Sequence, residues 1–329
     1  MDNSTLWKRK CKIYIKATKN AVNDTELEVS NLKCLFTIEK KLGGFSIAKE
    51  MCTFEIYNVN PETEQIILEN GYGLIIEAGY ENGRYGKIFE GDIVQAVNTI
   101  EEENFKITIL AMGGQEEIAS NFIKCSTNST TRKEQMKIMG QKARIPIEIE
   151  DKTEEISTED NELPRGKVFF NSVEKYYSDY GRRVGNVFFY LDTMRKKSKE
   201  VSAVEQTAKI IMKSLTETTD KMSAVELSPD TGLIGVPQVS DSGVIIKCLL
   251  DPRFTIEGYV KITNSMINRG LAQPLTGQGY NQKAMIDPEG EYKIFSIKHM
   301  GDTYGDTWIT EIVGVGRNHK LIDTYGVVK

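Results

Sequence analysis

Short runs of alternating apolar and polar residues, cut apart by turn dipeptides, constrain this chain more than any other feature. Lys12 to Lys16 (KIYIK), Cys52 to Val59 (CTFEIYNV) and Phe105 to Leu110 (FKITIL) all alternate with period two. That is the pattern of a half-buried strand, whose successive side chains point to opposite faces. Gly73 to Gly79 and Ile88 to Val97 add two more runs. Gly43-Gly44, Asn60-Pro61, Asn70-Gly71 and Asn82-Gly83 punctuate them, the last being the strongest hairpin signal of the set. Six or seven short strands with almost no helix predict a barrel-like β-domain over residues 1–115.

The pattern then changes. Thr131-Arg-Lys-Glu134 fits a helix N-terminal capping box, after which Met136, Met139 and Ala143 share one helix face. Ile145-Pro-Ile-Glu-Ile149 reads as an edge strand, since its proline cannot donate to a ladder. Asp151 to Asn161 is acidic and reads as a loop. Ser172 to Tyr180 predicts a second small helix, with Val173, Tyr176, Tyr177 and Tyr180 on one side and Gly181 at its end. Val187 to Tyr190 is a short apolar strand. Together these form a small α+β insert over 116–190. A helical segment is expected over 191–223, because Ser202-Ala-Val-Glu205 fits a capping box and Val204, Ala208, Ile211, Met212 and Leu215 fall on one stripe. That stripe would pack on its own domain or contact a partner subunit.

From residue 224 to 329 the strands return: Val225–Leu227, Val244–Leu250, Gly258–Ile262, Tyr292–Lys298 and Trp308–Val315. A second barrel-like β-domain follows. The fold class expected is therefore α+β, mainly β. The two β-regions share an outline, each with an Asx-Pro pair (Asn60-Pro61, Asp251-Pro252) and a later Gly-Asp pair (Gly91-Asp92, Gly301-Asp302). Two similar β-units in one chain would give a symmetric trimer six similar positions in a ring.

Composition excludes several function classes. With 42 Lys+Arg against 47 Asp+Glu, the net charge of −5 argues against a dedicated nucleic-acid binder. No apolar run is long enough to span a bilayer. The charged stretch from Met1 to Lys16 lacks the apolar core of a secretory signal. Cys11, Cys34, Cys52, Cys125 and Cys248 are scattered, odd in number and form no CxxC pair, which predicts neither a disulfide framework nor a zinc site. Only two histidines, His299 and His319, could serve a nucleophilic triad. His299 reads as a strand-end residue, His319 as part of a polar tail. No phosphate-binding or dinucleotide-binding glycine motif is present. No catalytic, cofactor-binding or metal-ligating residue is therefore expected, and no cofactor. Two rival readings remain. A glycosidase-type cell-wall hydrolase needs only two carboxylates, and Glu77, between Ile76 and Ala78, is the nearest candidate, although its position also fits the outward face of a strand. A carbohydrate-binding or adhesin protein could use Tyr176, Tyr177 and Tyr180 as a sugar platform, if they are not simply the apolar side of a helix.

The segment Leu227-Ser-Pro-Asp-Thr-Gly-Leu-Ile-Gly-Val-Pro-Gln-Val239, followed by Gly243-Val-Ile-Ile-Lys-Cys-Leu-Leu-Asp-Pro252, resembles the C-terminal half of baseplate hub proteins of contractile phage tails and phage-tail-like bacteriocins, the late control protein D-like hubs. Tyr292 to Thr303 leading to Trp308-Ile-Thr-Glu311 resembles the closing hairpin of that family. Leu74 to Tyr80 with Ile88 to Asp92 resembles its first β-domain. The stretch from about 130 to 222 carries no matching motif. The resemblance implies a structural, non-enzymatic homotrimer with pseudo-sixfold symmetry, joining the hexameric tail tube to the trimeric central spike. Its implied partners are tail-tube, spike and tape-measure proteins and other baseplate subunits, with DNA in the lumen if the particle is a phage. Some relatives carry attached hydrolase domains, and none is expected here beyond Lys329. Assembly would take place in the bacterial cytoplasm, where reduced cysteines are the rule, before incorporation into the baseplate.

Overall fold

The computed structural model describes residues 8–20, 23–42, 47–48, 50–81, 83–101, 103–114, 118, 121–128, 131–149, 166–184, 187–192, 209–214, 224–240, 243–256, 258–267 and 287–316. The chain divides into two compact units. One holds residues 1–41, 50–112 and 218–329, the other 42–49 and 113–217.

In the first unit β1 (Arg9–Asn20), β2 (Asn23–Glu28), β3 (Cys34–Lys41), β5 (Glu50–Tyr57), β6 (Gly71–Tyr80), β7 (Tyr85–Glu101) and β8 (Asn104–Met112) come from the N-terminal region. From the C-terminal region come β14 (Val225–Glu226), β15 (Gln238–Ser240), β16 (Gly243–Leu249), β17 (Tyr259–Lys261), β18 (Glu291–Asp302) and β19 (Trp308–Gly316). One sheet contains them all, in the order β15-β16-β19-β18-β3-β5-β8-β7-β6-β1-β2, with β17 on β18 and β14 on β17. The β-rich α+β class expected from the sequence is what is found. The described strands close no barrel, and one sheet runs through both β-regions. β18 is the reason: its later half pairs with β3, from Ser296 opposite Lys41 to Asp302 opposite Leu35, so one ladder crosses from region to region.

Packing reinforces that join. Ile13, Ile15, Phe36, Ile38, Phe54, Ile56, Leu74, Ile76, Phe89, Ile107 and Ile109 form a core on one face of the N-terminal strands, and Leu250 and Trp308 from the other region enter it. Trp308 is 1% exposed and meets Phe36 edge to face at 5.6 Å. Such aromatic area dominates core energetics. The second region keeps its own core of Val244, Ile246, Val260, Tyr292, Ile294, Ile297 and Ile312. Asp251, 2% exposed, receives Arg84 Nη1 at 2.8 Å and Arg253 Nη2 at 2.8 Å, which ties the β6–β7 turn to the Asp251-Pro252 turn.

The N-terminal region also holds a helix, α1 (Pro61–Asn70), where the sequence predicted only a turn at Asn60-Pro61. Asn60 is its N-cap, its Oδ1 accepting the Thr63 N–H at 2.7 Å, and Pro61 occupies the first turn, where its missing N–H costs nothing. Gly91 and Gly301 both lie within strands. A Cβ on Gly301 would stand 2.2 Å from Phe36 Cζ, and one on Gly91 would stand 2.7 Å from Phe89 Cζ, so each glycine makes room for a phenylalanine ring.

The second unit contains β4 (Ile47–Ala48), β9 (Phe122–Thr127), α2 (Arg132–Ala143), β10 (Ile147–Ile149), β11 (Lys167–Ser172), α3 (Val173–Val184), β12 (Val187–Asp192) and β13 (Lys209–Ser214). Four strands pair in the order β10-β13-β12-β4, and β9 with β11 make a two-stranded ribbon. Thr131 caps α2 by accepting the Glu134 N–H, and Met136, Met139 and Ala143 are buried together as their spacing predicts. α3 runs on through Gly181 to Val184, past the expected end. The expected helix at Ser202 is corrected over its described part: residues 209–214 form β13, central in the sheet, with Ile210, Ile211 and Met212 buried. Three consecutive apolar residues satisfy a strand covered on both faces as well as a helix stripe, and pairing with β10 and β12 decides between them. Residues 201–208 and 215–223, the Asp151–Asn161 stretch and Gly43-Gly44 lie outside the described residues.

Candidate assembly surfaces

Two exposed apolar surfaces stand out, one on each unit. The first is built by β7 and β8. β7 changes neighbour along its length, pairing with β6 from Tyr85 to Asp92 and with β8 from Asp92 to Glu101, with a bulge between Ile93 and Gln95. A bulge bends a strand and sharpens its twist. Beyond it the only described strand beside β7 is β8, which itself stays paired with β5 as far as Lys106 opposite Tyr57. Ile107 and Ile109 on β8 are buried, and the same face carries on to the cross-strand pair Ile100 and Phe105, which are 71% and 56% exposed. Val94 and Val97 are exposed as well. No described strand continues beside residues 93–101 on the side that β6 leaves at Gly73. Polar contacts brace the arm along its length: Asn98 Nδ2 donates to Glu64 Oε1 of α1 at 2.8 Å, and near the tip Asn58 Nδ2 donates to Asn104 Oδ1 at 2.9 Å and the Asn58 N–H to the Phe105 carbonyl at 2.8 Å.

The second surface is the outer face of the β9–β11 ribbon. Register places Phe122 opposite Ser172, Lys124 opposite Phe170 and Ser126 opposite Val168. Phe122, Phe170 and Val168 are 48%, 68% and 83% exposed, although Ile123 on the other face is buried. Phe122 and Phe170 meet edge to face at 4.7 Å, and Lys124 Nζ stands 5.4 Å above the Phe170 ring. Three large apolar side chains on one open ribbon are more than scattered surface hydrophobes, and such patches mark contact sites.

The residues weighed for chemistry sit elsewhere. Glu77 lies on β6 and accepts the Tyr85 hydroxyl at 2.9 Å; burial, then this bond to Glu77, holds the Tyr85 phenol above its ordinary range. Tyr177 and Tyr180 are buried against Phe189 in the core of the second unit, so they form the apolar side of α3 and no platform. His299 is not at a strand end. It lies within β18, fully buried, with Nδ1 2.9 Å from Thr310 Oγ1. Burial, then the charge of Lys40, lowers its pKa to about 3, so the ring is neutral. His319 lies outside the described residues. Burial also pushes the thiols up, Cys11 to about 12, which removes thiolate reactivity. Among the described residues no three His, Cys, Asp or Glu side chains are placed to hold a metal ion, and no helix is long and apolar enough to cross a membrane. What the described surface offers is contact area.

Neither surface stands out from the sequence alone. Val94, Val97 and Ile100 were visible as an apolar run without charge, and Val168, Phe169 and Phe170 as a short apolar run, but only the structure shows which faces stay open.

Comparisons with known proteins agree on one theme. The family model described as baseplate hub gp41 matches residues 47–275. No curated protein matches the sequence. The 43 kDa tail protein of prophage MuSo2 from Shewanella oneidensis is similar in structure over 94% of this chain and 97% of its own, at 10% identity and a TM-score of 0.51. A chain of the half-lidded Francisella PdpA–VgrG complex is similar over 99% of this chain and 61% of its own, at 9% identity and a TM-score of 0.55. At such identities these two likenesses concern the fold.

Proposed function

The chain belongs to the baseplate hub gp41 family, and on that footing we propose that three copies form a ring joining a hexameric tail tube to a trimeric central spike. The family gives the role of structural baseplate hub, and the ring goes beyond it. The observation that carries it is the build of the first unit. Two β-regions, residues 1–41 with 50–112 and residues 218–329, each with its own core, are fused through the β3–β18 ladder. Such a chain puts two β-bodies into every subunit, so three subunits fill six positions and meet a sixfold tube with a threefold base. The partners of this reading are a tail-tube protein, a tape-measure protein, a spike protein and neighbouring baseplate subunits, with assembly in the bacterial cytoplasm. If the particle is a phage, DNA passes through the lumen.

Solution mass tests it first. The expected value is 3 × 37.1, about 111 kDa. Averaged images of the particle should show three copies in a ring of sixfold appearance, and six full copies would refute the ring. Deleting the gene should leave particles without complete baseplates. A zymogram on peptidoglycan should stay unlysed, and a cleared band would move the reading to the hydrolase.

A further inference from the structure

The arm and the ribbon differ in what they carry besides apolar area. The arm ends in acid: Glu101 and Glu103 are both exposed, and Lys106, the cation paired with Glu101 at 2.8 Å, is shared with Glu55 at 3.5 Å, while Lys33 adds a further positive charge. The ribbon carries base, since Lys124 sits within its apolar face above Phe170. Apolar area with an acidic tip and apolar area with a central lysine are complementary surfaces. They also lie on one chain. A closed ring of identical subunits built on head-to-tail contacts needs two different, complementary patches per subunit, one offered to each neighbour.

The guarding of edges points the same way. β2, at the end of the sheet, exposes Glu26 and Glu28, the usual defence against strand addition. From Ile93 to Ile100 the arm has neither a charged residue nor a proline. An apolar arm guarded only where α1 reaches it at Asn98 is costly to leave in water, and a permanent partner removes that cost.

We propose that the β7–β8 arm of one copy seats on the outer face of the β9–β11 ribbon of the next, with Ile100 and Phe105 against Phe122, Val168 and Phe170 and the Glu101–Glu103 tip beside Lys124. The inference rests on the trimeric reading and names the contact that closes the ring.

Sedimentation velocity on the full chain tests it. The arm variant is Ile100→Ser with Phe105→Ser, and the ribbon variant is Val168→Ser with Phe170→Ser. Urea unfolding checks first that both are folded. Each variant alone should lose the trimer, with association weakened at least ~10-fold, as expected for central apolar anchors. An equimolar mixture should recover a dimer of 2 × 37.1, about 74 kDa, because one intact arm and one intact ribbon remain. Glu103→Lys and Lys124→Glu should each weaken assembly roughly threefold, and the two changes in one chain should restore it. The inference is overturned if either double-serine variant trimerises like the wild type, if the mixture stays monomeric, or if the charge reversals fail to compensate. A wild-type chain that is monomeric at every concentration overturns it too. The hub reading is judged separately, by whether the chain is present in purified particles. Should either variant fail to fold, the charge-reversal pair decides alone.

Discussion

β7 is one strand with two different ends. From Tyr85 to Asp92 it pairs with β6, buries Ile88 and Phe89 at 2% and 0% exposure, and carries Lys87 and Glu90, with Glu90 also bound by Lys16 at 3.1 Å. From Ile93 to Glu101 it pairs with β8 instead, exposes Val94, Val97 and Ile100, and has no charge before its last residue. The first end mixes Tyr85, Ile88 and Phe89 with Gly86, Gly91 and three charged residues, whereas the second carries Ile93, Val94, Val97, Thr99 and Ile100, so strand propensity favours the second. Burial runs the other way. The first end spends its apolar side chains on the core; the second keeps them outside it. Apolar strand residues can therefore fold the molecule or present a surface, depending on which side of the corner they occupy.

The core end should break hardest. Phe89→Ala removes a fully buried ring from the core it shares with Trp308, and should cost about 3–5 kcal/mol in urea unfolding. Trp308→Ala, in the same core, should cost a similar ~3–5 kcal/mol. Val94→Ala, five residues beyond Phe89 on the same strand, should cost under about 0.5 kcal/mol. Equal losses for Phe89 and Val94 would erase the contrast between the two ends.

The corner itself comes next. A Cβ at Gly91 would lie 2.7 Å from the Met112 carbonyl oxygen and 2.7 Å from the Phe89 ring. Backbone cannot give way as a flexible side chain can, so Gly91→Ala should cost about 1–3 kcal/mol by overpacking. An unfolding midpoint unchanged from the wild type would show that the strand turns elsewhere.

A smaller, pH-dependent effect checks the fold side of the contrast at β18. His299 has a folded pKa of about 3, below the ordinary value of 6.5, so the unfolded chain binds the proton more readily. The stability this neutral ring contributes is complete above about pH 6.5 and is lost as pH falls toward 3, at up to ~1.4 kcal/mol per pH unit. Lys40, whose charge adds to the lowering, is itself paired with Glu50 at 3.0 Å. Between pH 6.5 and 5.5 the wild type should therefore lose roughly 1 kcal/mol more than His299→Gln. Parallel pH curves for the two proteins would mean that His299 takes up its proton without unfolding.

How much of this could be read beforehand follows from local pattern. The strands around Ile13, Phe54, Leu74, Ile109, Ile246 and Ile312 were legible because their alternation matches the face they bury. α2 was legible because its cap and its Met136, Met139 and Ala143 stripe agree. α1 was not, since Asn60-Pro61 opens a helix with the same residues that make a turn, and what decides is Ile67 reaching the core. β3 went unnoticed because buried Lys40 breaks its apolar series, and only Glu50 across the strand makes that lysine tolerable. β13 was misread because an isolated apolar triplet fits either period. The join of the two β-regions depends on β18 meeting β3, more than two hundred residues away in sequence, and no local pattern encodes that. The two open apolar faces were hidden for the same reason: exposure is decided by what fails to cover a strand.

The smallest expected change in stability is the most informative for the far end of β7. Ile100 is 71% exposed, and its cross-strand neighbour Phe105 is 56% exposed, so truncating Ile100 uncovers almost no core. Ile100→Ser should shift the unfolding free energy of the dissociated chain by no more than about 0.5 kcal/mol. If the arm is a contact element, the same substitution should weaken self-association several-fold, roughly the 1 kcal/mol or more that separates anchors from bystanders at an interface. The two readouts must diverge, because stability reports the folded subunit and association reports the surface. A loss of stability comparable to that of Phe89→Ala would place Ile100 in a core, and the division of β7 at Asp92 would fail. No effect on either readout would make the arm an ordinary solvated hairpin, leaving the ribbon without its counterpart.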